Sequence, residues 1–163
     1  MLRIIKILED TMVDGPGFRT AIYCAGCHHH CPGCHNQQTW DEKAGSDMTT
    51  DEIMAVIKAD PFANVTFTGG DPLYQAEGFS ELAEAIKRET GKNIWCYTGF
   101  LYEQLLGMEQ PRRLLNSIDV LVDGPFIEAQ KDPDLLFRGS ANQRLIDVRR
   151  SLEAREAVLW ERE

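Results

Sequence analysis

The chain lacks any long hydrophobic run that could cross a membrane or direct secretion. Its first ten residues, MLRIIKILED, place four charges among the apolar side chains, at Arg3, Lys6, Glu9 and Asp10. A signal peptide needs an uninterrupted apolar region, and a membrane helix needs about 20 predominantly apolar residues. We therefore expect a soluble, cytoplasmic protein with no membrane partner.

Positive charge is also scarce. Lys and Arg number 17 against 26 Asp and Glu, which gives a net charge of −9 over 163 residues. Nucleic-acid binding depends on a basic surface that neutralises phosphates, so this composition argues against a nucleic-acid partner. The chain contains no internal repeat and no low-complexity linker, and its length is usual for one domain. We predict a single domain over residues 1–163.

Cysteine, in contrast, is concentrated: four of the five cysteines lie in the eleven residues CAGCHHHCPGC, from Cys24 to Cys34. Three of the four histidines lie there as well. In a reducing compartment, clustered cysteines are more often metal ligands or redox groups than disulfides, and such close neighbours make poor disulfide partners. The stretch predicts a metal-binding cluster loop at about residues 24–40.

Short β-like runs alternate with helical patterns, which favours an α/β fold with a mostly parallel sheet. Strands are predicted at Phe18–Gly26, Asn64–Gly70, Asn93–Gly99 and Ile118–Gly124. A helix should begin at a Thr49 cap, with Glu52 completing a capping box, and end at Pro61. A second helix follows the apolar spacing from Phe79 to a stop at Gly91. A C-terminal helix is predicted at about 146–160.

Three of the predicted strands end in glycine beside a polar residue. These ends are Gly69–Asp71, Thr98–Gly99 and Asp123–Gly124. Parallel α/β sheets bind ligands at the carboxyl ends of their strands, and the cluster loop also follows a strand, so one sheet edge is the predicted active site. A complete eight-stranded barrel needs about 250 residues. The chain should therefore form only a partial, open barrel.

Three kinds of metal site fit the cysteine stretch. In the first, Cys24, Cys27, Cys31 and Cys34 hold a structural zinc ion, although only three residues separate the two C-x2-C knuckles and a zinc ribbon has a dozen or more. In the second, four thiolates hold a [4Fe–4S] cluster in a ferredoxin-like electron carrier. Such a carrier needs a compact cysteine-rich fold rather than one loop on an α/β domain.

In the third kind of site only Cys27, Cys31 and Cys34 bind the cluster, with the spacing C-x3-C-x2-C. Three thiolates on four irons leave one iron without a protein ligand, and an open position is typical of a catalytic metal site. Cys24 and Cys96 are then predicted to be buried core residues, as free cysteines commonly are.

Five further motifs accompany this spacing. They are DGPGFR (Asp14–Arg19), CHNQQTW (Cys34–Trp40), TGGDPL (Thr68–Leu73), LVDGPF (Leu121–Phe126) and KDPDLLFRGSANQR (Lys131–Arg144). Together they make the sequence resemble the radical S-adenosylmethionine (SAM) superfamily and, within it, the activating proteins of anaerobic (class III) ribonucleoside-triphosphate reductases. The resemblance extends from about Asp14 to Arg144.

The resemblance implies a partial, open (β/α) barrel of the radical SAM type, with a [4Fe–4S] cluster on Cys27, Cys31 and Cys34. It implies SAM as second cofactor, bound by Gly33, Cys34, His35, Asn36, Gly69, Gly70 and Asp71. Reductive cleavage of SAM would give a 5′-deoxyadenosyl radical that takes a hydrogen atom from one glycine of the reductase. A flavodoxin- or ferredoxin-like donor would supply the electron. No side chain is assigned as catalytic, because the cofactors carry the chemistry.

Two residues depart from the superfamily pattern. Gly33 stands where an aromatic residue is common, and Asp71 stands where glutamate is commoner, although aspartate still accepts hydrogen bonds from an ammonium group. The nearest rival function is activation of another glycyl-radical enzyme, such as pyruvate formate-lyase, because the DGPG and CHN motifs occur there as well.

Other polar residues receive weaker expectations. His28–His30 are expected to be exposed loop residues, whereas His35 is assigned to the cofactor site because it follows Cys34 directly. The roles of Thr98, Asp123 and the segment 138–144 are left open.

Overall fold

The strands predicted from the sequence form the centre of a seven-stranded sheet in a computed structural model, which describes residues 1–162. The strands are β1 (Leu2–Thr11), β2 (Arg19–Cys24), β3 (Ser46–Met48), β4 (Asn64–Gly69), β5 (Ile94–Tyr97), β6 (Val120–Asp123) and β7 (Arg144–Asp147). The helices are α1 (Thr50–Ala59), α2 (Ala76–Glu89), α3 (Tyr102–Leu105), α4 (Glu109–Leu115) and α5 (Val148–Ala154). Short 3-10 turns lie at Gln37–Thr39, Pro72–Gln75 and Glu128–Gln130.

The strand order across the sheet is β3-β1-β2-β4-β5-β6-β7. The four strands β2, β4, β5 and β6 are parallel neighbours, whereas the pairs β1–β2, β1–β3 and β6–β7 are antiparallel. Within residues 1–162 the sheet does not close on itself, because β3 and β7 form its two edges. The predicted α/β class with a mostly parallel, open sheet is confirmed at this level of detail.

Helices cover one face of the sheet and form the main core. Ile22, Phe67 and Cys96 project from the strands into this core and meet helical side chains such as Phe79 and Ile86. The opposite face has a smaller apolar cluster, formed by Trp95, Val120 and Val122 and packed against Phe137 and Trp160. Among the described residues no helix is long and apolar enough to span a membrane.

The N-cap of α1 and the end of α2 follow the predicted signals, although the Glu52 side chain does not complete the predicted capping box. Thr49 is the N-cap of α1, and its side chain accepts a hydrogen bond from the backbone N–H of Glu52. Helix α2 ends at Glu89, and Gly91 follows it with a positive φ of 67°. Both predicted helices are therefore confirmed.

The C-terminal helix predicted at 146–160 is wrong in its bounds. Residues 144–147 pair with β6 instead, and α5 covers only Val148–Ala154. The helix ends because Arg155 adopts the left-handed conformation, with φ 60°. The chain then returns to β7, where the Trp160 N–H donates to the Leu145 carbonyl at 2.8 Å. Backbone pairing with the sheet therefore replaces the last turns of the predicted helix.

Candidate functional site

A cavity of about 190 Å³ lies at the carboxyl ends of the parallel strands. The cluster loop forms one side of it and the ends of β4, β5 and β6 form the others. The lining residues include Cys27, His29, Cys31, Cys34, His35, Asn36 and Trp40 from the loop, Thr68–Asp71 from the end of β4, Thr98 and Gly99 from the end of β5, and Phe126, Gly139 and Gln143 beyond β6. The predicted edge is therefore where the loop and the glycine-rich strand end meet.

The five cysteines divide into two groups. Cys27, Cys31 and Cys34 are free thiols, partly exposed and facing the cavity. Cys24 and Cys96 are completely buried in the main core, as predicted, and burial raises the pKa of both thiols well above the usual value. Neither of these two thiols lines the cavity, so neither is placed to bind a metal there.

The three cavity thiols suit a cluster more readily than a single ion. No three His, Cys, Asp or Glu side chains in residues 1–162 converge closely enough to hold one metal ion. A [4Fe–4S] cluster is larger than an ion, so its thiolates must face a common space rather than a common point. Burial raises the pKa of Cys27 to about 11, while the backbone N–H groups of His29 and His30 act in the opposite direction. Iron would have to displace the thiol proton on binding.

The ends of the cluster loop are held together by backbone hydrogen bonds. Gly26 N–H donates to the Thr39 carbonyl at 2.7 Å, and Cys27 N–H donates to the Trp40 carbonyl at 3.2 Å. The Trp40 ring stacks on His30, with centroids 4.5 Å apart. The loop is thus a closed unit, and its second half, CHNQQTW, supports the part that carries Cys27 and Cys31.

Gly69 and Gly70 are required because the backbone at the start of the cluster loop leaves no room for a side chain at either position. A Cβ on Gly69 would lie 2.6 Å from the backbone N of Cys24, and one on Gly70 would lie 2.4 Å from the carbonyl oxygen of Gly26. Backbone hydrogen bonds of 2.8 Å also join Gly70 N–H to Cys24 and Asp71 N–H to Gly26. The glycine-rich end of β4 is therefore joined directly to the start of the cluster loop.

Asp71 lies in the cavity wall, but its carboxylate has several protein partners. It is 2% exposed, and its Oδ1 accepts a hydrogen bond from the Leu73 N–H. Oδ2 accepts from the Thr98 hydroxyl at 2.8 Å and from the Gly99 N–H at 2.9 Å. The same oxygen lies 2.6 Å from His29 Nε2.

His29 is a site residue that the sequence analysis missed. The expectation that His28–His30 are all exposed holds for His28 and His30, but the His29 side chain is only 16% exposed. The three residues have identical side chains, so only their positions relative to Asp71 and Phe100 distinguish them. No signal in the sequence reports those positions.

The remaining predicted cofactor residues lie on the loop. His35 and Asn36 line the cavity, and the His35 ring packs edge-on against Phe126 at 5.8 Å. Gly33 lies beside the cavity rather than in its wall. It has a φ of 78°, and a Cβ there would lie 2.9 Å from the carboxyl carbon of Glu128. The Glu128 side chain is flexible and could move aside, so it is the positive φ, which residues with a Cβ rarely adopt, that accounts for a glycine at the position.

The segment 138–144 closes the far side of the cavity through an internal hydrogen-bond network. The Gln143 side chain accepts from the Gly139 and Ser140 N–H groups and donates to the Gly124 carbonyl at 3.1 Å. Asn142 donates to the Pro125 carbonyl at 2.7 Å. These polar side chains position the backbone that follows β6.

Asp123, left open in the sequence analysis, is completely buried and paired with Arg144. The guanidinium Nε donates to its Oδ1 at 3.0 Å, and Oδ2 accepts from the Tyr102 N–H. Asp123 is not among the residues that line the cavity. Its geometry indicates a role in joining β6, β7 and α3.

Three free thiols facing one cavity at the carboxyl edge of an α/β sheet define a candidate iron–sulfur protein. The sequence agrees with this class, because residues 13–146 match the family described as a 4Fe-4S single cluster domain. That match covers most of the chain.

Individual relatives specify the family further. The chain is 39% identical over 150 residues to the anaerobic ribonucleoside-triphosphate reductase-activating protein of Haemophilus influenzae. The matched region covers 87% of this chain and 96% of the relative. The protein of the same name from Vibrio cholerae is 41% identical and covers 81% and 89%. The one from Enterobacteria phage T4 is 37% identical and covers 86% and 90%. The chain belongs to the family of anaerobic ribonucleoside-triphosphate reductase-activating proteins.

Proposed function

We propose that this protein is a radical SAM activase that generates a glycyl radical on an anaerobic ribonucleoside-triphosphate reductase. The observation that carries the proposal is the common cavity of Cys27, Cys31 and Cys34 beside the glycine-rich end of β4. Three thiolates would hold a [4Fe–4S] cluster and leave one iron open for SAM. When bound, the reduced cluster and SAM supply the radical that abstracts the glycine hydrogen atom.

The chain's own residues would bind and orient these cofactors. Gly69, Gly70 and Asp71 would receive the methionine part of SAM, and the backbone around Gly33–Asn36 would contact the rest. Cavity-facing Phe126 and Trp40 offer apolar surface that would limit the access of water. Holding reactants in a fixed geometry and excluding water is the protein's usual contribution to cofactor chemistry.

The open sheet supports a protein substrate. The strands of residues 1–162 form one open sheet joined by short connections. A glycine of the reductase would reach the cavity from the side on which the sheet is not closed. A flavodoxin- or ferredoxin-like protein in the cytoplasm would supply the electron.

Anaerobic reconstitution with iron and sulfide tests the cluster. We expect about four irons per chain, loss of the cluster in Cys27→Ser, Cys31→Ser and Cys34→Ser, and retention in Cys24→Ala. Isolation of one tightly held zinc per chain in place of the cluster would overturn the proposal.

Electron paramagnetic resonance tests the reaction. The reduced, reconstituted protein is incubated with SAM and either the anaerobic reductase or pyruvate formate-lyase. A glycyl-radical signal is expected only with the reductase. A signal only with pyruvate formate-lyase would instead support the rival function.

A further inference from the structure

The His29 side chain is packed between the cluster loop and the sheet. Its ring lies between Phe100, edge-on at 4.7 Å, and Tyr74 at 5.5 Å. It also packs directly on the next strand end, since a Cβ on Gly99 would lie 2.6 Å from the ring atom Cδ2. The neighbouring His28 side chain is 61% exposed, and its Nε2 lies 3.6 Å from the carboxylate of exposed Glu42.

The partner of His29 is the most connected carboxylate of the site. Asp71 follows β4, and its Oδ2 already accepts hydrogen bonds from Thr98 and Gly99, which follow β5. The contact of 2.6 Å with His29 Nε2 adds the loop that follows β2. Asp71 is 2% exposed. Its Oδ2 thus connects the segments that follow three adjacent parallel strands, β2, β4 and β5.

We infer that His29 is a positioning residue: by donating to Asp71 it fixes the iron-binding loop against the glycine-rich strand end and so sets the affinity for SAM. Cys27 and Cys31 lie two residues before and after it, so displacement of His29 would displace both ligands. Gly69 and Gly70 directly precede Asp71. The inference rests on the proposed function, because it assumes that SAM bridges these two parts of the cavity.

The inference gives Asp71 a second role beside the expected contact with the SAM amino group. A carboxylate has about four lone-pair positions, and Asp71 has four protein contacts, three of them on one oxygen. Its geometry is therefore determined by the protein before any ligand binds. The short contact with a half-buried imidazole belongs to the strong class of charge-assisted hydrogen bonds.

The test compares three variants of the full chain. His29→Phe keeps an aromatic ring against Phe100 and Tyr74 but removes the donor. His29→Gln restores an N–H donor of similar reach. His28→Phe introduces the same side chain at the adjacent exposed position and is the matched control.

SAM affinity of the reconstituted proteins is measured from the SAM-induced change in the cluster's electron paramagnetic resonance spectrum. We expect His29→Phe to raise the Kd for SAM about tenfold, as loss of a hydrogen bond to a charged group would. His29→Gln should recover most of the affinity and His28→Phe should leave it unchanged. Equal SAM affinity in His29→Phe and wild type, with the cluster assembled, would overturn the inference.

Hydrogen exchange of the cluster-free protein provides the second measurement, which does not depend on cluster assembly. His29→Phe should speed exchange of the Gly99 amide and of residues 27–35, whereas His28→Phe should not. Unchanged exchange in His29→Phe would contradict the inference. A wild-type protein that assembles no cluster or fails to bind SAM would instead count against the proposed function, while exchange would still report on the His29–Asp71 contact.

Discussion

Asp14 has the one buried side-chain polar atom without a hydrogen-bond partner in residues 1–162, its Oδ2. The other oxygen, Oδ1, accepts from the Thr11 hydroxyl at 3.3 Å, and the residue is 7% exposed. Burial raises the pKa of the Asp14 carboxyl, against the weaker opposing effects of Thr11 and Arg19. Arg19 is itself buried, which lowers its pKa to about 10, so it stays charged at neutral pH.

This environment predicts a pH-dependent contribution to stability. A carboxyl whose pKa is higher in the folded state adds stability below its unfolded value, here 3.8, and loses that contribution as pH rises through the folded value. The free energy of unfolding of wild type, relative to Asp14→Asn, should therefore decrease between pH 4 and pH 8. Thermal unfolding across this range measures the difference.

The control for Asp14 is the same substitution at exposed Asp134, which removes one carboxylate elsewhere on the chain. The free energy of unfolding of wild type relative to Asp134→Asn should not decrease with pH in this way. If stability relative to Asp14→Asn increases with pH, the pKa of Asp14 is lowered in the fold and the interpretation of its burial is wrong.

The short helix α5 illustrates how an element can end against its sequence pattern. Arg155 holds a left-handed backbone, and the chain reverses there so that Val158 accepts a hydrogen bond from the Asp147 N–H at 2.9 Å. Left-handed backbone is unfavourable for residues with a Cβ, and glycine is preferred just after a helix for that reason.

Glycine at this reversal should therefore stabilise the protein. We expect Arg155→Gly to raise the free energy of unfolding by about 0.5–1 kcal/mol. Arg150→Gly, at an exposed position within α5, should lower it by about 0.5–1 kcal/mol. Chemical denaturation of the two variants measures these opposite signs. Destabilisation by Arg155→Gly would mean that the left-handed conformation is not maintained in solution.

For the whole molecule, the helical core and the cluster loop differ in how completely their side chains are buried. Helices α1 and α2 contribute completely buried side chains to the main core, such as Ile53, Phe79 and Leu82. In the cluster loop, by contrast, every residue from 27 to 38 is at least partly exposed, and none belongs to that core. A ligand that binds only the folded state stabilises it by mass action.

Cluster binding should thus stabilise the protein and protect the loop selectively. The reconstituted protein should melt about 2–8 °C above the cluster-free protein, as expected for 1–2 kcal/mol in a chain of this size. Hydrogen exchange should slow in residues 27–40 and change little in α1 and α2. Cys31→Ser, treated identically, should show neither effect. Slower exchange spread evenly over the whole chain would contradict a local role of the cluster.

The sequence by itself determined the central strands, the N-cap of α1, the end of α2, the burial of Cys24 and Cys96, and the family. These features depend on local signals: apolar runs, a Thr cap, cysteine spacing and motif order. The three cluster ligands and the SAM residues stay predictions. Only the tertiary structure decided the pairing of β1, β3 and β7, the early end of α5 and the contact of His29 with Asp71. Each depends on partners far apart in the chain, for example 42 residues between His29 and Asp71, and neither local propensity nor spacing specifies which distant groups meet.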